Sequence, residues 1–263
     1  MIDVQATGDT RGIAIPDVGI SGFRHRVVTG DDHSRQSVIA DLAVGVSLPA
    51  ALRGTHMSRL VEIVLEHEED LTLDALPVVG KRLLALLGAD AGHLSLRFPM
   101  VFSQPSPVTK KPASNVHDAA LAVVLDADMV TLSATVEVVA TSLCPCSKAV
   151  SDYGAHNQRS RVQLTIGATG GDAATRLPSL ADMVLWAEGA CSAPTYPLLK
   201  RPDERYVTMK AYDHPVFVED IVREIVLRVQ DVDGPGSFRV RVTNEESIHR
   251  HDAYAEVSGP LKP

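Results

Sequence analysis

The run Met129-Val130-Thr131-Leu132-Ser133-Ala134-Thr135-Val136-Glu137-Val138-Val139-Ala140 alternates apolar and polar side chains. Successive side chains of a strand point to opposite faces, so Val130, Leu132, Ala134, Val136 and Val138 share one face and Thr131, Ser133, Thr135 and Glu137 the other. This is the clearest strand in the chain, and it leads straight into Leu143-Cys144-Pro145-Cys146-Ser147-Lys148. Alternation resumes at Val162, Leu164 and Ile166, so the cysteine segment reads as a loop between two strands.

Downstream, Gly167-Ala168-Thr169-Gly170-Gly171 lacks the lysine and following hydroxyl of a phosphate-binding P-loop and reads as a turn. Helical spacing follows from about Ser179, with Leu180, Met183, Val184 and Ala187 inward, and again over Val218, Ile221, Val222, Ile225, Val226 and Val229. Phe238, Val240 and Val242 then alternate with Arg239 and Arg241, a turn falls at Asn244-Glu245-Glu246, and a last strand runs from Ile248 to Val257. The second half is thus a β-β-α-α-β-β unit.

Upstream, Val38 to Val46 is strand-like and ends before Pro49. A helix begins near Thr55, whose hydroxyl can cap it, and carries Met57, Leu60, Val61, Val64 and Leu65 on one stripe. A second helix holds Leu76, Val79, Leu83, Leu86 and Leu87, with Pro77 in its first turn and Gly88 at its end. Strands are expected around His93 to Phe102 and Ala119 to Leu125, joined by a proline-rich exposed loop from Ser103 to Pro112. Residues 1 to about 35 read as an extended arm, which completes the same unit in the first half if it supplies one early strand. Antiparallel strand pairs with helices on one face define an α+β fold.

The 263 residues are 45% hydrophobic and 22% charged, the composition of an ordinary soluble globular chain. A formal net charge of -8 argues against a nucleic-acid binder with a broad basic face, while leaving room for a small anionic ligand in a local pocket. No apolar run approaches the ~20 residues of a membrane span. Met1-Ile2-Asp3-Val4-Gln5 has neither the basic start nor the apolar core of a secretion signal, so a reducing cytoplasm is expected. Three cysteines there are thiols or metal ligands rather than a disulfide framework.

Cys144, Cys146 and His156 place soft and borderline donors on one loop, as a zinc-like ion prefers, and a buried thiol pair beside a loop-capping histidine explains them equally. Glu204 falls in what reads as a charged turn, and Glu219 near the first turn of the Val218 to Val229 helix, where the helix dipole alone favours a carboxylate. His249 and His251 alternate on the last strand and share a face, suiting a proton-transfer pair or two surface histidines. His56 and Arg59 serve a helix cap or a pocket wall. Lys110, Lys111, Lys200 and Arg201 serve solubility or a phosphorylated ligand, and Cys191 reads as a small core residue.

Five blocks, taken together, resemble the type IB GTP cyclohydrolases: Gly54-Thr55-His56-Met57-Ser58-Arg59, Ser142 to Lys148, Gly154 to Ser160, Tyr196 to Glu204, and Asn244 to His249. The resemblance spans nearly the whole chain and implies a tunnelling fold of tandem β-β-α-α-β-β units, about 36–127 and 128–258, within one domain of residues 1–263. It implies a homotetramer with active sites at subunit interfaces, converting GTP and water to 7,8-dihydroneopterin triphosphate and formate, the first step towards tetrahydrofolate. Carried over residue by residue, it makes Cys144, His156 and Glu204 ligands of a divalent Zn, Mn or Fe ion and Glu219 the guanine anchor. His249 or His251 would move protons, and Cys146 stands as alternative to Cys144; the substrate-binding part of Lys200 and Arg201 is read from their charge and is not carried over from the family. Two other readings remain: a tunnelling-fold nitrile reductase with a nucleophilic cysteine and NADPH, or a non-catalytic metal-binding protein.

Overall fold

The computed structural model describes residue 5 and residues 7–31 and 34–262. Among the described residues nine strands form one sheet: β1 (Ile15–Thr29), β2 (Gln36–Leu48), β3 (Ala91–Ser103), β4 (Ser114–Asp126), β5 (Met129–Leu143), β6 (Asn157–Thr169), β7 (Ala193–Pro194), β8 (Gly236–Glu245) and β9 (Ala253–Pro260). The strand order is β1-β2-β3-β4-β5-β6-β8-β9, with the short β7 on β5. The pairs β1/β2, β2/β3, β5/β7 and β8/β9 are antiparallel. The helices are α1 (Met57–Glu66), α2 (Leu76–Leu87), α3 (Pro145–Val150), α4 (Ala173–Arg176), α5 (Leu180–Ala190), α6 (Arg201–Asp213) and α7 (Val218–Val229).

The chain divides into two compact units. The first takes residues up to Phe98, with Ala120–Ala134 and Gly167–Leu177. Its core joins Leu42, Val44 and Val46 of β2, Leu60, Ile63 and Val64 of α1, Leu76, Val79 and Leu83 of α2, and Leu94, Leu96 and Phe98 of β3, all buried. Gly80 lets α2 approach β4 closely, since a Cβ there would stand 2.4 Å from Leu125 Cδ1. Gly88 ends α2 at φ 62°, a left-handed conformation that glycine adopts without a Cβ clash.

The second unit takes Pro99–Ala119, Thr135–Ile166 and Pro178–Pro263. Its core sets Val136, Val138, Val162, Leu164, Val240 and Val242 of the strands with Met183 and Ala187 of α5 and Ile221, Val222, Ile225 and Val229 of α7. Helix α7 packs on α5, β8 and β9. Each fully buried Ile or Val there contributes roughly 1.5–3 kcal/mol relative to an exposed one.

Five sequence expectations are corrected. Much of the arm is the strand β1, disguised by register shifts between Ile15 and Val18 and between Ile20 and Phe23 that break its alternation. Thr55 is buried but does not cap α1; the N-cap is His56, without a side-chain bond to the helix. Met57, Leu65 and Leu86 are exposed, and Ile63 takes the buried place between Leu60 and Val64. The charged turn holding Glu204 is the first turn of α6, a helix that buries only Asp203 and Ala211 and so shows no apolar stripe. The last strand starts at Ala253, which leaves His249 and His251 in the bend between β8 and β9.

Candidate functional site

Strand β5 ends by handing the chain to a tightly stitched loop. Leu143 N–H donates to Ser192 Oγ at 2.9 Å, and Leu143 O accepts from Val216 N–H at 3.1 Å. The second bond ties the segment leading into α7 to the residue before Cys144. Cys144 N–H donates to His156 O at 3.1 Å, which closes the loop between the two expected ligands. Between them Cys144 caps the short α3, its Sγ accepting from Ser147 N–H at 3.5 Å. Ser147 Oγ donates to Cys144 O at 3.3 Å and accepts from His156 N–H at 3.2 Å. Cys144 and His156 are half-buried while Cys146 is exposed.

The bend after β8 comes to the same place. Ser247 Oγ lies 3.3 Å from His156 Nδ1, and Gln158 Nε2 faces Glu246 Oε1 at 3.5 Å. The rings of His249 and His251 stack at 5.1 Å and 12°, so they share a side although no strand carries them. Behind the loop lies a buried polar chain, with Ser160 Oγ 2.9 Å from Ser142 Oγ and 2.7 Å from Asn244 Oδ1.

Helix α6 is fixed by its buried Asp203. The carboxylate accepts from Lys200 N–H at 2.9 Å, Val108 and Thr109 N–H at 2.8 Å each, and Thr109 Oγ1 at 2.6 Å. Burial pushes this carboxyl up, but the Thr109 hydroxyl and the three backbone donors outweigh it and hold Asp203 below the usual carboxylate range. The loop after β3, expected to lie free in solvent, is therefore anchored to the start of α6, with Ser106 fully buried. Glu204 and Glu219 are exposed in the first turns of α6 and α7, and Lys200 and Arg201 are exposed at the start of α6.

A cavity of about 630 Å³ runs along α6, lined by Val108, Pro202, Arg205, Tyr206, Met209, Lys210, Asp213 and His214. Its cations are Arg205 and Lys210 rather than Lys200 and Arg201. Lys148 of α3 sits over the Tyr212 ring at 4.1 Å and bonds the Tyr212 carbonyl, tying the cysteine loop to the end of α6. Arg59 donates to Leu86 O at 3.2 Å, so it serves the carbonyl end of α2.

A second buried polar group lies in the same unit. Glu188 Oε1 accepts from Gln104 Nε2 at 2.8 Å and lies 3.8 Å from His117 Nε2. Burial raises the Glu188 carboxyl and lowers the His117 imidazole. Burial also pushes the Cys191 thiol up to about 12, in keeping with a core residue.

The structure thus brings Cys144, His156, Ser247 and the His249–His251 bend together by bonds. Among the described residues no group of three or more His, Cys, Asp and Glu side chains is gathered as a metal cage, so Glu204 is not drawn in beside Cys144 and His156. Sequence reasoning missed Ser247, Gln158, Arg205 and Lys210, although Gln158 and Ser247 fall inside two of the distinctive blocks.

The class of protein follows from the α+β architecture: it is a tunnelling fold. The chain superimposes on the uricase from Arthrobacter globiformis with a TM-score of 0.54, over 94% of this chain and 93% of that one. At 9% identity this likeness speaks for the fold alone. The family model described as type I GTP cyclohydrolase FolE2 matches residues 1–255, and the chain belongs to that family. It is 40% identical to the GTP cyclohydrolase FolE2 of Nitrosococcus oceani over 256 residues, 97% of this chain and 94% of that protein. It is 41% identical to the GTP cyclohydrolase FolE2 of Bordetella pertussis over 261 residues, 98% of this chain and 96% of that protein. No helix among the described residues is long and apolar enough to cross a membrane.

Proposed function

We propose that this chain is a metal-dependent GTP cyclohydrolase of the type IB kind. It converts GTP and water to 7,8-dihydroneopterin triphosphate and formate, the first step of tetrahydrofolate biosynthesis, in the cytoplasm. The observation that carries the reading is family membership over residues 1–255, with Cys144 and His156 closed into one loop at the end of β5. Enzyme and substrate follow from that membership; apart from the charge-based reading of Lys200 and Arg201, the residue roles are carried over from the family resemblance, and the bonds around the loop support the nearness of Cys144 and His156.

Thiolate and imidazole donors suit a divalent zinc-, iron- or manganese-like ion, and Cys144, His156 and Glu204 are the residues that would hold it. Cys144 is preferred over Cys146 because its backbone is bonded to His156 and its sulfur lies on the half-buried side of the loop. Such an ion supplies Lewis acidity, lowering the pKa of a water poised to attack C8 of the purine. Glu219 anchors the guanine, its two carboxylate oxygens accepting from N1–H and the 2-amino group. The tether from Val216 to Leu143 supports this role, since it holds the start of α7 to the strand end that carries Cys144. His249 and His251 move protons as the imidazole ring of the purine opens. Lys200 and Arg201 at the start of α6 meet the triphosphate. Exposure of Glu204 and Glu219 on a single chain accords with sites completed between subunits of a homotetramer.

The test is incubation of purified protein with GTP and Mn²⁺ or Zn²⁺, followed by oxidation and neopterin fluorescence. Activity is expected with at least one metal, and Glu219→Ala is expected to abolish it while bound metal persists. Absence of neopterin across all metals refutes the assignment.

A further inference from the structure

Gln158 is 8% exposed, and its Oε1 is a buried side-chain oxygen without a hydrogen-bond partner among the described residues. A buried acceptor left unbonded forfeits its hydration without replacement, so one retained beside a reactive loop calls for a partner that arrives later. The hydroxyls of this region are already engaged. Ser160 bonds Ser142 and Asn244, Ser147 bonds both Cys144 and His156, and Ser247 meets His156 Nδ1. The other arm of the carboxamide is fixed as well, because Nε2 faces Glu246 Oε1 at 3.5 Å. Glu246 takes the donor arm, which leaves the acceptor arm for a ligand. Gln158 follows His156 by two positions at the start of β6, and Glu246 precedes Ser247, so the unbonded oxygen stands where the two site segments meet.

We propose that Gln158 is a further substrate-positioning residue, whose carboxamide oxygen accepts a hydrogen bond from an N–H or O–H of the bound guanine nucleotide. The inference rests on the GTP cyclohydrolase reading and adds a contact to it. Guanosine triphosphate offers such donors on its purine edge and its ribose. Glu246 sets the orientation of the amide, so the site presents an acceptor and not a donor.

The test compares wild type with Gln158→Leu, measuring kcat and KM for GTP, the melting temperature without ligand, and the rise in melting temperature that GTP induces in metal-stripped protein. The variant removes an unbonded acceptor together with the long 3.5 Å contact from Nε2 to Glu246, so its melting temperature without ligand is expected to stay close to that of wild type. Its kcat/KM is expected to fall at least about tenfold and the GTP-induced rise to shrink, the loss of one hydrogen bond made only to substrate. Repeating the comparison with 2′-deoxy-GTP and with inosine triphosphate identifies the donor, because a nucleotide lacking it suffers no further loss on substitution. A kcat/KM within about twofold of wild type with an unchanged GTP-induced rise overturns the proposal. So does a loss of activity that merely follows a lowered melting temperature in the absence of ligand. If the leucine variant does not fold, Gln158→Met is read by the same measures. A wild-type protein that turns over no GTP refutes the enzymatic assignment instead, which keeps the two failures apart.

Discussion

Replacing Ser160 by alanine tests whether the buried polar chain behind the cysteine loop holds the site together. Ser160, Ser142 and Asn244 are at most 2% exposed, so water does not compete for these groups. A serine hydroxyl carries one hydrogen. Ser160 is the donor in both contacts, its one hydrogen shared between Asn244 Oδ1 at 2.7 Å and Ser142 Oγ at 2.9 Å. Ser160→Ala therefore removes two bonds and leaves a buried hydroxyl and a buried amide oxygen unpaired. At roughly 1–3 kcal/mol for each stranded group, with some relaxation, the expected loss is about 2–4 kcal/mol. Urea unfolding measures it as a lowered midpoint at unchanged slope. The companion variant Ser160→Ala with Asn244→Leu leaves only Ser142 stranded and is expected to recover about half of the loss. A loss below about 0.5 kcal/mol for the single variant, or no recovery in the double, refutes the reasoning.

Two further outcomes follow from buried titratable groups. His117 has its pKa lowered from 6.5 chiefly by burial, so the native protein binds fewer protons than the unfolded chain below that pH. Stability is then lost as pH falls through 6.5 towards the native value, at up to about 1.4 kcal/mol per pH unit. Glu188, raised above 4.5, acts in the opposite sense, its contribution fading as pH rises through the window above 4.5. His117→Gln should flatten the loss between neutrality and mild acid in chemical unfolding, and an unchanged slope contradicts it. For the thiols, iodoacetamide near pH 8 should label Cys144 and Cys146 in the native protein. Cys191, at about 12 and 2% exposed, should react only after unfolding. Mass mapping of a native protein alkylated at Cys191 would show the reverse.

Legibility of the fold tracked how much of each element's stability comes from apolar burial. Strand β5 was plain because alternate positions from Val130 to Val138 are buried, and α7 because Val218, Ile221, Val222, Ile225 and Val229 all point inward. Helix α6 left no such trace. It is held by four bonds to one carboxylate, with Pro202 in its first turn, and its partners Val108 and Thr109 are 95 and 94 residues away. Strand β1 was hidden by its register shifts. The loop from Cys144 to His156 could be read from spacing. Ser247 and Gln158 could not be paired with His156 and Glu246, because separations of 91 and 88 residues become contacts only once the sheet has formed.

The Ser247 contact also decides how His156 can act. Its Nδ1 lies 3.3 Å from Ser247 Oγ, and the backbone N–H of the same residue is engaged by Ser147. In a neutral imidazole one nitrogen carries the proton and the other accepts. If His156 is a ligand, as proposed, Nδ1 must keep its hydrogen and donate it to Ser247, which presents the Nε2 lone pair outward. Ser247 then does two tasks: it fixes the tautomer of the histidine and holds the bend carrying His249 and His251 to the loop carrying Cys144. Movement of that bend would disturb the ligand histidine and the proton-carrying pair together. Ser247→Ala should therefore weaken metal retention and turnover in parallel, with a loss of roughly 10–100-fold in metal affinity. If turnover falls while metal affinity is unchanged, the link from Ser247 to the His156 ring is refuted.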